Sequence, residues 1–155
     1  MSTLVFSFRI IRWEIFPLLF LLSTTLLADN NTISATNGWV RATPPGSRNA
    51  VAFLTLNNHG ATDKILQSIQ CDTQIAARCE IHEHINKEGK MRMQRVTDLS
   101  VPRMGTRQFA PGGYHIMLLE LTEPLIAGTT VEFTFIFTDQ TQYHFNFPVK
   151  PVAQE

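Results

Sequence analysis

The sequence predicts an all-β domain, an antiparallel sandwich or small barrel, and three observations carry that expectation. Helical periodicity is scarce. Short runs that alternate apolar and polar residues recur along the chain. Turn-forming clusters separate those runs at short intervals. A first strand over 33–41 stops at "TPPGS" (43–47). A second, over 49–57, lies in "AVAFLTLNN", where Val51, Phe53 and their apolar neighbours keep a two-residue period. "NNHGATD" (57–63) ends it and leads into a third over 63–69. Strands over 79–85 and 90–96 flank "NKEG" (86–89). One over 105–109 stops at "APGG" (110–113), and one over 114–121 runs to "EPLIAG" (123–128). In 130–138, Val131, Phe133, Phe135 and Phe137 alternate with Glu132, Thr134, Ile136 and Thr138; "YHFNFPV" in 141–149 repeats the pattern.

The chain of 155 residues has the length of one domain. Its start differs from the rest. Arg9 and Arg12 precede "IFPLLFLLSTTLL", 13 uncharged residues from Ile15 to Leu27, and Ala28 precedes the polar "DNN". That order predicts a secretory signal peptide over 1–28 and a mature domain over 29–155. A retained anchor is the alternative, although the run is short for a span of about 20 residues. No cysteine lies beside the expected cleavage point, which argues against a lipid anchor. Without Arg9, Arg12 and Glu14, the 13 basic and 13 acidic residues become 11 and 12. That balance offers no footprint for nucleic acid or for an anionic membrane surface. The two cysteines, Cys71 and Cys79, are spaced C-x7-C; in an exported protein they form a structural disulfide or remain as two buried thiols.

The stretch "CEIHEHINKEGKMRM" (79–93) concentrates chemistry. Beyond residue 28 only Met91, Met93, Met104 and Met117 remain as methionines, and three of the five histidines, His82, His84 and His115, lie in the same two clusters. Residues two apart on a strand share a face. So His82 joins His84, Met91 joins Met93, and His115 joins Met117. A four-residue loop at "NKEG" would pair Ile85 with Lys90, His84 with Met91, Glu83 with Arg92 and His82 with Met93, with Cβ atoms roughly 4.5–5.5 Å apart. Ile81 and Ile85 would then face the core and the histidines would face away. Two imidazoles and two thioethers around one point suit a soft monovalent ion. Thioether favours Cu(I), zinc prefers thiolate, imidazole and carboxylate, and calcium and magnesium want oxygen.

The chain resembles the PCu(A)C family of periplasmic copper chaperones. His82, Met93, His115 and Met117 fit the family spacing H-x10-M-x21-H-x-M. "GWVRATPPG" (38–46), "AVAFLTLNNHG" (50–60), "PGGYHIMLLEL" (111–121) and "PLIAG" (124–128) are also similar to it. The resemblance implies a cupredoxin-like Greek-key barrel. It implies Cu(I) held by His82, Met93, His115 and Met117; imidazole also binds Cu(II), so the extra His84 leaves room for the oxidised metal. It also implies delivery toward the Cu(A) centre of cytochrome c oxidase subunit II, alongside a Sco-type protein, in the periplasm. The sequence has no Ser/His/Asp order in a recognisable context, no nucleotide loop and no C-x-x-C, so a monomer that is not an enzyme is expected. His84 and Met91 fall outside the signature and stand as accessory ligands or as ordinary exposed residues. The cysteine pair is not part of the family pattern.

Three other readings compete. One is general copper storage or tolerance. Another is a β-sandwich interaction module without metal. The last is an electron-transfer cupredoxin, which needs a cysteine thiolate beside two histidines. Cys79 lies three residues from His82, so a regular strand turns it to the opposite face.

Overall fold

The computed structural model describes residues 32–151. The expected signal peptide lies outside them. Ten strands form one sheet, and the described residues contain no helix. They are β1 (Ile33–Arg41), β2 (Asn49–Asn58), β3 (Lys64–Cys71), β4 (Ala76–Lys87), β5 (Lys90–Val96), β6 (Leu99–Val101), β7 (Gly105–Phe109), β8 (Tyr114–Leu121), β9 (Thr130–Phe137) and β10 (Gln142–Lys150). The spatial order is β5-β4-β8-β7-β2-β1-β10-β9-β3-β6. Sequence-distant strands thus lie side by side, the Greek-key habit. Most ladders are antiparallel. β1 meets β10 in parallel at Val40↔Val149, and β7 meets β8 in parallel at Phe109↔Tyr114.

The alternation read in the sequence gives the sheet one apolar face, over which it folds. Val131, Phe133, Phe135 and Phe137 of β9 are all buried, while Glu132 and Thr134 face outward. They meet Ala50, Ala52, Leu54 and Leu56 of β2 and Ile81, Ile116 and Leu118 of β4 and β8 in one apolar cluster. Phe135 stands edge-on to Phe145, with ring centres 5.2 Å apart. β2 is covered on both faces. Its even residues form the core, while Phe53 on the other side is buried against Trp39, 5.1 Å between ring centres. Gly38 stands where a Cβ would come within 2.2 Å of the Phe147 ring, so the β1 bulge admits only glycine there.

Cys71 and Cys79 form a disulfide, with Cα atoms 5.9 Å apart. β3 and β4 touch but share no ladder. The bridge therefore staples the β10-β9-β3-β6 half of the sheet to β4 of the other half.

One expectation needs correction. The β4–β5 loop has two residues, Glu88 and Gly89, not four, and Lys87 pairs with Lys90. Both loop residues have positive φ, 55° and 76°, the twist of a type I′ turn, which matches two strands better than the loop expected. The register shifts by two. His84 faces Met93, Asn86 faces Met91, Ile85 faces Arg92, Glu83 faces Gln94 and His82 faces Arg95. A shift of two preserves side-chain parity. His82, His84, Met91 and Met93 therefore still share one face, on different rungs.

Candidate metal centre

The site face spans three neighbouring strands. β4 supplies Glu80, His82 and His84, β5 supplies Met91 and Met93, and β8 supplies His115 and Met117. On β4 and β8 the rungs are His82↔His115 and Glu80↔Met117. Val51 of β2 pairs with Met117 from the other side. With Phe53 and Trp39 beyond it, that side of the face is apolar.

Ile81, Ile116 and Leu118 are buried in the core, so the intervening His82, His115 and Met117 turn to the opposite face. His115 is nonetheless only 3% exposed, because other side chains cover it. The His84 ring stacks on it at 4.8 Å and 27°, and the His82 ring lies 6.1 Å away, tilted by 46°. Met93 starts two strands away, roughly 10 Å at the usual strand spacing. Its side chain crosses β4 and brings Sδ to 3.4 Å from His115 Nε2.

That contact has a defined polarity. His115 Nδ1 lies 3.0 Å from the Gly113 carbonyl, which can only accept, so Nδ1 carries the proton. Nε2 then presents a lone pair to a sulfur lone pair with no hydrogen between them. A cation relieves that arrangement. Two ligands of one tetrahedral ion, at about 2.0 Å for nitrogen and about 2.3 Å for sulfur, stand roughly 3.5 Å apart. The observed separation fits. Among the described residues, no three His, Cys, Asp or Glu side chains gather to hold an ion. Further donors on this face are the thioethers of Met93 and Met117.

Met117 is half-buried on the rung below His115. Met93 is 48% exposed and Met91 62%. Met91, opposite Asn86, lies one rung nearer the turn than Met93, and Met104 sits in the loop before β7, away from this face. His84, by contrast, lies inside the cluster. Sequence reasoning missed Glu80, whose Oε2 is 2.9 Å from His82 Nε2. The signal was available, since Glu80 precedes His82 by two residues and shares its face.

Burial lowers the His115 pKa from its ordinary 6.5, against the raising pull of the Gly113 hydrogen bond and with the nearby His84 and His82 adding to the fall. The unfolded chain therefore protonates this imidazole at higher pH than the folded protein does. Its contribution to stability is complete above 6.5 and is lost as pH falls from there toward the lower folded value. Ring-nitrogen NMR of the copper-free protein is expected to place the His115 midpoint below 6.5, and urea midpoints are expected to fall over the same interval.

Solved structures share this architecture. The copper-bound PCuAC domain from PmoF2 aligns with a TM-score of 0.63 at 18% identity, over 78% of this chain and 94% of that one. The solution structure of CuI-DR1885 from Deinococcus radiodurans aligns at 0.57 with 28% identity, over 79% and 78%. The class is the cupredoxin-like β-sandwich of the PCuAC domains. Within it, the chain belongs to the LpqE-like family, described as "Putative lipoprotein LpqE-like", which matches residues 33–149. A relative from Leifsonia xyli subsp. xyli, "Putative lipoprotein Lxx21020", is 32% identical over 119 residues, 76% of this chain and 69% of that protein.

Proposed function

We propose that this protein is an exported copper carrier that holds Cu(I) with His82, Met93, His115 and Met117 and passes it on. The single observation that carries the reading is the contact of His115 Nε2 with Met93 Sδ at 3.4 Å, with the other ring nitrogen tied to a carbonyl. All four ligands are neutral, so a bound Cu(I) leaves one positive charge, which a half-buried site holds more cheaply than two. Copper-bound neighbours of the same fold support the choice of metal. The sequence of residues 1–28 and the lipoprotein names of the relatives support export to the periplasm.

The exposure gradient suits transfer. His115 is buried and Met93 is half open to solvent. An acceptor's thiolate or imidazole reaches the ion from the Met93 side and displaces a thioether first. In this reading the acceptor is the Cu(A) domain of cytochrome c oxidase subunit II, with a Sco-type protein as co-worker. The carrier works as a monomer and catalyses no reaction. His84 stacks against His115 and supplies a further imidazole if the ion is oxidised to Cu(II); Met91 is an accessory sulfur at the mouth.

The test is anaerobic Cu(I) titration with X-ray absorption. Wild type is expected to bind one ion with two sulfur scatterers, and Met117→Ala one ion with a single sulfur and an affinity lower by about tenfold or more. Loaded protein mixed with a copper-free Cu(A) domain is expected to lose its copper. Binding without transfer identifies a storage protein, and absence of binding identifies an interaction module.

A further inference from the structure

We infer that Glu80 is the positioning residue of the copper centre, fixing His82 so that it coordinates through Nδ1 while His115 coordinates through Nε2. The inference deepens the copper reading and rests on it. Glu80 Oε2 lies 2.9 Å from His82 Nε2, and both side chains are largely withdrawn from water, 12% and 16% exposed. The other oxygen, Oε1, is engaged separately, 3.5 Å from Arg95 Nη1 and 3.7 Å from Arg78 Nε. Arg78 is in turn held by Glu120 at 2.7 Å. Two guanidinium groups thus flank the second oxygen and aim the carboxylate.

A carboxylate only accepts, so Nε2 of His82 carries the proton. In a neutral imidazole the lone pair then resides on Nδ1. That atom is buried and has no hydrogen-bond partner among the described residues. An orphaned buried acceptor is costly unless something fills it, and a metal ion does so without a proton. Carboxylate, imidazole and metal in line form the triad in which the outer carboxylate fixes the ring tautomer and raises the basicity of the ligand nitrogen. His115 uses the same device with reversed polarity. The Gly113 carbonyl accepts a hydrogen bond from its Nδ1–H and leaves the Nε2 lone pair free.

His84 Nδ1 is also buried and has no partner among the described residues. Yet no carboxylate holds the other nitrogen of His84 among the hydrogen bonds of the described residues. Of the two histidines on β4, only His82 has its tautomer set in advance. Glu80 thereby selects which imidazole of the "HEH" triplet becomes the ligand.

The test has two independent readouts. In copper-free wild type, long-range 1H–15N NMR of the histidine rings is expected to show His82 with its proton on Nε2. Glu80→Ala is expected to lose that preference, and Glu80→Gln, whose amide oxygen still accepts, to keep it. Competition with a chromophoric Cu(I) chelator is expected to show Glu80→Ala weaker by about 10- to 100-fold and Glu80→Gln within a few-fold of wild type. Thermal melts confirm that both variants fold. A copper-free His82 with its proton on Nδ1 overturns the inference. So does a Glu80→Ala affinity equal to or tighter than wild type, since that makes Glu80 a competitor for the ring. If wild type binds no copper, the carrier reading fails, while the tautomer result still decides whether Glu80 orients His82.

Discussion

Replacement of His115 by alanine is expected to lower Cu(I) affinity by more than about a hundredfold, because loss even of an outer-shell partner costs 10- to 100-fold at such sites. The residue combines three roles in the structure. It is a buried imidazole with a free Nε2, it contacts the Met93 sulfur, and its ring stacks on that of His84 and lies 6.1 Å from that of His82. Its removal leaves Met93 without its partner across β4. The hydrophobic core lies on the other face of β8, so Ile116 and Leu118 stay packed. The fold is therefore expected to survive. Chelator competition measures the affinity, and unchanged circular dichroism separates a lost ligand from a lost fold. An affinity within threefold of wild type would remove His115 from the site.

The second large effect concerns the Cys71–Cys79 bridge. It closes a chain segment with a sequence separation of 8. Chain-entropy reasoning gives such a loop about 2.5 kcal/mol of stabilisation. The double variant Cys71→Ser, Cys79→Ser is expected to lose about that much unfolding free energy in urea titration and to melt on the order of 10 °C earlier. Copper affinity is expected to change as well. Cys79 adjoins Glu80 on the strand that carries His82, and no ladder joins β3 to β4 there. A variant with wild-type melting would show the bridge to be idle.

Much of this architecture is legible in the residues. The alternation in 130–149 and the turn clusters locate nine of the ten strands, because one buried and one wet face imposes a period of two. β6 escapes because Leu99, Ser100 and Val101 are too few to show a period. The hairpin register escapes for a different reason. Gly89 signals positive φ for either loop, but nothing in "NKEG" announces that Glu88 also adopts it. Parity rescued the shared face, so the His/Met set is readable even though its rungs are not. The disulfide stayed open in the sequence because only the folding-over of the sheet brings β3 against β4. Glu80 went unnoticed since a lone carboxylate on a strand reads as solvated surface until its distance to His82 is known.

The position of β5 has a consequence for release. It lies at the end of the sheet, bonded to β4 alone, and six of its seven residues are exposed. Ribbons with so little buried surface fray at far lower free energy than the body they border. β4 and β8 belong to that body. In the proposed carrier, a brief peeling of the terminal ribbon withdraws one sulfur while both imidazoles stay in place. The cargo then sits three-coordinate and under-satisfied, ready for whichever donor arrives first.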